Sequence, residues 1–396
     1  MSLYRRRILL GVAGGIAAYR SAELVRLLVK EQAEVRCVMT RSAQAFITPL
    51  TLEALSGEPV HDELFDLTAE REMGHIQLAR WAELMVVAPA TANVLARHAH
   101  GMADDLLTTI LLARQGPVLM APAMNQAMWS HPSTQANVAL LRERGIHFIG
   151  PDCGALACGE HGPGRMCGLS ELLAAMRMCL GSGRLRGERW VINAGPTWEA
   201  WDRVRVLTNR ASGRLGYYLA EAAAAEGAET ILVAGPGVPH SSLPMTRLDV
   251  ESALDMHRAC LHAAEGADVF VATAAVSDFR FAERMGGKHK RAGRQRMRVE
   301  LVANPDIVAD VARLPGRPGR VIAFAAECRD HVRSAQQKML EKGVDAIVAN
   351  DAERMGAEEA SGWWIDERGV VELPAASKRH FAEQLLERIA CMEDEA

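Results

Sequence analysis

At 396 residues the chain exceeds what one hydrophobic core usually holds, so its length argues for two domains. Its 49% apolar and 24% charged residues describe an ordinary soluble globular protein, and a formal net charge of −4 excludes a global basic field for nucleic acid. No apolar run reaches the roughly 18 residues of a membrane span, and eight cysteines without a secretory leader fit reduced thiols in a cytoplasm better than a disulfide framework.

The opening MSLYRRRILLGVAGG places basic residues before an apolar run, as a signal peptide does. The run breaks at Gly14-Gly15 and passes directly into a helical pattern, so it reads as a first strand and turn. IAAYRSAELVRLLVKEQA then reads as a helix and AEVRCVMT as the next strand, followed by strand candidates in AELMVVAPAT, GPVLMAPAM and IHFIGP. Apolar runs that end in small residues suit a parallel sheet buried on both faces, whose ligands bind beyond the carboxyl ends of the strands. The polar, glycine-rich GSGRLRGER reads as a linker. After it come RWVINAGPT, ETILVAGPG, DVFVATAAVSD, RVIAFAAE and DAIVANDA as strands with helices between them. The expected fold is therefore α/β with two doubly wound domains.

Two features of the first half stay open on their residues alone. GVAGGIAAY is a poor match to the dinucleotide fingerprint, and such a glycine turn serves either one phosphate group or packing alone. CGALACGEHGPGRMC, from Cys153 to Cys167, gathers three cysteines, a histidine and four glycines. Cys153, Cys158, His161 and Cys167 are enough ligands for tetrahedral zinc, although the paired C-x2-C knuckle is absent. A catalytic thiol on a glycine-hinged flap needs only one of the cysteines.

GHIQLARWA, APATANVLARHAHGMADDLLTT, APAMNQAMW and ACGEHGPGRM together resemble the flavin-dependent cysteine decarboxylases of the phosphopantothenoylcysteine type, over nearly all of residues 5 to 180. The resemblance implies a flavodoxin-like FMN-binding domain over residues 1–180. The FMN phosphate would lie at the turn of Gly11, Gly14 and Gly15 and at Thr40, with the ring against Pro89, Ala90, Thr91 and Asn93. It further implies that His75 sits beside the flavin and assists removal of substrate protons, that Met124 and Asn125 meet the substrate with Asn125 on its carboxylate, and that Cys158 is the proton donor. Cys153 and Cys167 are then incidental small apolar residues. Ala13 departs from the family, where a hydroxyl residue is common. The flavin makes chemical sense: a carboxylate beside an amide nitrogen has no electron sink, whereas oxidation of the cysteinyl thiol to a thioaldehyde creates one.

In the second half, AGPTWEAWDRVRVLTNRASGRLGYYLAEAAAAEGAE sets a glycine-rich loop on an alanine-rich helix, where backbone amides can cradle phosphates. Lys338 and Lys342 share one helix face; a pair of cations four apart reads as solvated surface unless an anion lies between them. With ATAAVSDFR, GKHKR, ANPDI, AFAAE and IVANDA in this order, residues 188–396 resemble phosphopantothenate–cysteine ligase, and the two halves together resemble the bifunctional coenzyme A biosynthesis flavoproteins. The resemblance implies a Rossmann-like nucleotide-binding domain, with 181–187 as the linker. CTP would activate the carboxylate of 4′-phosphopantothenate as an acyl-cytidylate, and the amine of cysteine would displace CMP. Asn209 would hold the acyl group with Arg205 near it. Ser212, Gly213, Asp278, Asn304, Pro305, Asp306, Ile307 and Phe324 would bind CTP, and Lys288, Lys338 and Lys342 would surround its triphosphate with Mg²⁺, whose ligands are unassigned.

Departures gather in this half: Ala211 stands for the first serine of S-S-G, Arg214 for lysine, and Cys328 follows AAE. They leave open a decarboxylase with a drifted, inactive or altered ligase half. A reading of another class is a flavoprotein that binds a partner or nucleic acid through Lys288–Arg298. The family resemblance also implies a homo-oligomer, with trimeric decarboxylase halves whose active sites lie between subunits and dimeric ligase halves, combining into a dodecamer.

Overall fold

Short, almost wholly apolar runs make the strands of the first half. β1 (Arg7–Val12), β2 (Glu34–Met39), β3 (Val60–His61), β4 (Leu84–Ala90), β5 (Val118–Pro122) and β6 (His147–Phe148) form one parallel sheet in the order 3-2-1-4-5-6. Without the two-residue edge strand β3 the order is that of a flavodoxin, so the expected doubly wound fold is present. All seven residues of β4 are buried, as a strand covered on both faces requires. Alternate side chains feed opposite cores: Ile8, Leu10 and Val12 join one layer and Leu9 the other. An antiparallel hairpin of β7 (Asp152–Ala155) and β8 (His161–Arg165) precedes the helix Leu169–Leu180.

The computed structural model of the chain describes residues 3–64, 74–157, 159–288, 295–327, 331–351, 357 and 359–392. They divide into two units, Met1–Gly181 and Ser182–Ala396. The stretch 181–187, read above as a linker, is from Ser182 onward part of the second unit. Leu185 is 1% exposed in that unit's core, and the Ser182 amide and hydroxyl both donate to Glu226, at 2.9 and 2.7 Å. One buried leucine outweighs the flexible composition around it.

The second unit repeats the plan. β9 (Arg189–Ala194) leads to a small ribbon of β10 (Glu199–Ala200) and β11 (Val206–Leu207), then β12 (Glu229–Ala234), β13 (Thr246–Asp249) and β14 (Val269–Ala272). A second ribbon, β15 (Phe279–Phe281) with β16 (Leu301–Ala303), comes before β17 (Arg320–Glu327), β18 (Ala346–Asp351), β19 (Glu359–Asp366) and β20 (Gly369–Ser377). The main sheet runs 13-12-9-14-17-18-19-20, parallel as far as β18 and antiparallel beyond it. The helices Arg214–Ala225 and Lys378–Ala390 cover one face, and Ala253–Ala264, Ile307–Ala312 and His331–Lys342 the other. Trp190, Phe270, Trp364 and Phe381 are fully buried between them, each contributing about 1.5–3 kcal/mol. Among the described residues no helix is long and apolar enough to cross a membrane.

Candidate active sites

Each unit opens a cavity where its strand order reverses, between β1 and β4 in the first and between β9 and β14 in the second. The first cavity measures about 990 Å³ and is lined largely by small and apolar residues. Its floor is the turn from Gly14 to Arg20, which enters the helix Tyr19–Lys30 through a short 3-10 turn at Ile16–Ala18. Gly14 is glycine for lack of room: a Cβ there would lie 2.4 Å from the Ser42 hydroxyl, which also lines the cavity. Thr91 caps the helix Ala92–Ala99, accepting from the Val94 amide at 3.4 Å, and its neighbours Ala92 and Asn93 complete that wall.

The opposite wall is the segment Ala123–Asn125 together with the β7–β8 hairpin. The Asn125 carbonyl oxygen caps the helix Gln126–Ser130 by accepting from the Ala127 amide at 2.8 Å, and its amide nitrogen donates to Glu160 at 2.8 Å. Gly164 packs so tightly on this segment that a Cβ would lie 2.2 Å from the Met124 carbonyl oxygen, and its own carbonyl takes the Met124 amide at 2.9 Å. Arg20 donates to the Met166 and Cys167 carbonyls at 2.8 and 2.9 Å, tying the hairpin's exit to the glycine turn. The tip of the hairpin closes through Leu156 and Glu160, 2.8 Å apart along the backbone. Cys158 lies outside the described residues.

Several residues singled out in the sequence are elsewhere. Gly11 lies inside β1, and its missing Cβ admits Leu107, whose Cδ1 would be 2.5 Å away, so packing accounts for it. Thr40 is buried with its hydroxyl spent on the Ser42 hydroxyl at 3.1 Å and the Ala43 amide at 3.3 Å. Pro89 and Ala90 are buried at the end of β4, behind Thr91. Ala13 packs into the core with its amide on the Pro89 carbonyl, away from the cavity. His75 opens the helix His75–Trp81, half-buried, and is not a wall of this cavity. Cys167 is fully buried, and burial with the nearby Asp152 and Glu171 carboxylates pushes its thiol up to about 12, which suits an apolar filler rather than a metal ligand. Among the described residues no three metal-binding side chains gather.

The second cavity, about 670 Å³, is more polar than the first and carries, among the described residues, four basic and three acidic side chains. Gly213, at φ +65°, turns the loop into the helix Arg214–Ala225, and a Cβ would lie 2.8 Å from the Gly195 Cα. Gly216 lets that helix close on β9: a Cβ would meet the Thr273 hydroxyl at 2.0 Å. Asn209 is held by donating to the Ala275 carbonyl and accepting from the Ala211 amide at 3.0 Å. Asn304 donates to the Ser277 carbonyl at 2.7 Å, and Asp306 caps the helix Ile307–Ala312. Burial would raise the Asp306 carboxyl, but Lys342, at 2.9 Å, and the Ala309 and Val308 amides hold it below the ordinary carboxylate range. Ser212, Asp278, Pro305, Ile307, Phe324 and Lys338 line the same space. Arg205 and Lys288 do not: both are exposed, with Arg205 stacked over Trp201 at 5.1 Å, and Lys288 precedes residues outside those described.

A flavoprotein family model matches residues 2–181, and the model of the DNA/pantothenate metabolism flavoprotein C-terminal domain matches 185–392. The chain is 47% identical to the coenzyme A biosynthesis bifunctional protein CoaBC of Vibrio cholerae over 90% of its own length and 89% of the relative's. It is 43% identical to that of Escherichia coli, over 100% and 99%, and 38% identical to that of Bacillus subtilis, over 98% of each. The chain belongs to the CoaBC family.

For a CoaBC relative, the sequence named residues on both cavities and missed other contributors to each. Ser42 sits two residues beyond Thr40, and Arg20 follows the glycine turn by one helical turn. In the second cavity Asn193, Asn350, Ser361 and Lys378 line the wall. Asn193 had a signal, an amide at the end of a buried strand, and it uses it: its side-chain oxygen accepts from the Ala274 amide at 2.9 Å. Ser361 lies in the antiparallel strand β19 and Lys378 opens the helix that follows β20, neither marked by a motif.

Proposed function

We propose that the chain performs two consecutive steps of coenzyme A biosynthesis, CTP-dependent ligation of cysteine to 4′-phosphopantothenate and FMN-dependent decarboxylation to 4′-phosphopantetheine. The observation that carries this is full-length likeness to the bifunctional relatives, combined with one cavity at the switch point of each unit. Residues 1–180 are assigned to decarboxylation and 188–396 to ligation.

The first cavity fits a flavin nucleotide: its volume is at the upper end of ligand pockets, roughly 300–1,000 Å³, and Gly14 and Gly15 line it together with Ser42, whose hydroxyl Gly14 lets pack against the turn. Gly14, Gly15 and Ser42 would hold the phosphate, with Thr91 and Asn93 at the ring. Bound FMN supplies oxidation of the cysteinyl thiol and later return of a hydride. Asn125, fixed by its own cap, orients the substrate carboxylate. Cys158 gives its proton to the carbon that has lost carbon dioxide. Because His75 stands away from its own chain's cavity, we read it as completing the cavity of a neighbouring copy in a homo-oligomer.

In the second cavity Asn209 positions the acyl carboxylate, while Ser212 and Gly213 on the loop and Asn304–Ile307 and Phe324 seat the nucleotide. Lys338 and Lys342 offset its phosphate charge together with Mg²⁺. Arg205 and Lys288, outside this cavity, are the assignments that rest on resemblance alone. Purified protein given 4′-phosphopantothenate, cysteine, CTP and Mg²⁺ should yield 4′-phosphopantetheine by mass spectrometry. Unchanged phosphopantothenate would defeat the ligase assignment, and unconsumed phosphopantothenoylcysteine the decarboxylase assignment.

A further inference from the structure

Two cations of the second cavity have no part in that reading. Arg214 and Lys378 both line it, as the first residues of the helices Arg214–Ala225 and Lys378–Ala390. The two helices pack on the same face of the sheet. They are locked together by the buried Glu221 carboxylate, which pairs with Arg379 at 2.8 Å and accepts from the Tyr217 and Ser241 hydroxyls at 2.7 and 2.8 Å. The lock neutralises Arg379 and leaves its neighbour Lys378 beside Arg214. Among the described residues neither Arg214 nor Lys378 makes a hydrogen bond or an ion pair. Glu359, opposite Ser377 in the β19–β20 ladder, is the acidic side chain on the same rim and pairs with neither.

Burial and the charge of Arg214 push the Lys378 ammonium below its ordinary value. Two like charges facing one cavity without a counter-ion are a cost that a bound anion offsets. Lys338 and Lys342 stand on the helix that covers the opposite face of the sheet, and Lys342 already has Asp306 as partner. The cavity thus has two basic rims on opposite faces of one sheet, and ligation brings two phosphorylated molecules to it at once. We infer that Arg214 and Lys378 form a subsite for a phosphoryl group and that its occupant is the phosphate monoester of the acyl substrate, beside the Ser212–Gly213 turn, with Lys338 and Lys342 left to the phosphates of the nucleotide. The inference rests on the ligase reading above. It makes this pair the feature by which the protein tells phosphorylated pantothenate from pantothenate.

The test uses the full-length flavin-loaded protein and its Lys378→Met, Arg214→Met and Lys378→Arg variants, with thermal melting to confirm folding. Pyrophosphate release gives KM for 4′-phosphopantothenate and for CTP, and calorimetry gives affinity for 4′-phosphopantothenate and for pantothenate without turnover. Each methionine variant should raise KM for phosphopantothenate roughly tenfold or more while KM for CTP stays within about twofold. The calorimetric preference for the phosphorylated ligand should shrink equally, and Lys378→Arg should restore most of it. A rise confined to CTP would move the pair to the nucleotide and overturn the proposal, as would no change in either constant. If the wild type releases no pyrophosphate, the ligase reading fails by itself, and the calorimetric preference still decides the subsite.

Discussion

The two cavities sit at the same topological position in two sheets of the same parallel order, yet their linings differ in chemistry. In the first, glycine, alanine and methionine surround the space, and its polar groups are mostly engaged in caps and turns, as Thr91 and Asn125 are. In the second, four basic and three acidic side chains among the described residues share the lining with the Ala211–Gly213 loop. A doubly wound sheet therefore fixes where a ligand binds, and the residues just beyond each strand fix which chemistry follows. A cofactor that carries its own reactivity asks the protein for shape and a few placed protons. A reaction between two anions asks for charge.

Separate failure of the two halves is the sharpest test of that contrast. Cys158→Ser should lower decarboxylation by about 10²–10⁴-fold with ligation unchanged, and mass spectrometry should show an oxidised, decarboxylated intermediate accumulating. Next, backbone crowding should separate the units. Gly213→Ala places a Cβ 2.6 Å from Val238 Cγ2 at φ +65°, a cost of about 1–3 kcal/mol, so CTP-dependent pyrophosphate release should collapse while flavin absorbance persists. Gly14→Ala should do the reverse, weakening flavin binding roughly tenfold in an equilibrium titration and sparing pyrophosphate release. Lys338→Met should raise KM for CTP by about tenfold and leave the flavin spectrum unchanged.

The smallest effect concerns thiols in both units. Burial pushes Cys37 and Cys260 to about 12, as it does Cys167. The reactive thiolate is therefore about one part in ten thousand at pH 8 and grows only as pH rises toward that value. Exposed Cys153 and Cys391 should take up iodoacetamide at pH 8 within minutes, with Cys37, Cys167 and Cys260 unlabelled in peptide mass spectra. Rapid labelling of the buried three would show the cores to be more open than described.

The sheets were legible because their strands are continuous apolar runs: RRILLGV, LMVVAPA, RWVINA and DAIVAND each became the strand expected. The β7–β8 hairpin was not, since HGPGR carries neither alternation nor β-branched residues, and only its ladder to Asp152–Ala155 makes it a strand. Motifs located Gly14, Thr91, Asn125, Asn209 and Asp306 at their cavities because each sits one step past a strand or at a helix cap, where local rules act. Ser361 and Lys378 escaped for the opposite reason. They reach the second cavity through pairing of β19 with β18 and β20, a long-range contact with no short-range signature. Gly11 shows the converse failure, in which a glycine inside a motif answers to Leu107 in the core.

Leu185 carries a practical consequence for anyone who cuts the chain. A fragment starting at residue 188 lacks the leucine that fills the second unit's core and the Ser182 groups that donate to Glu226. A fragment starting at Ser182 retains both. Of two recombinant halves differing by six residues at one end, the longer should be the one that survives storage, protease and heat.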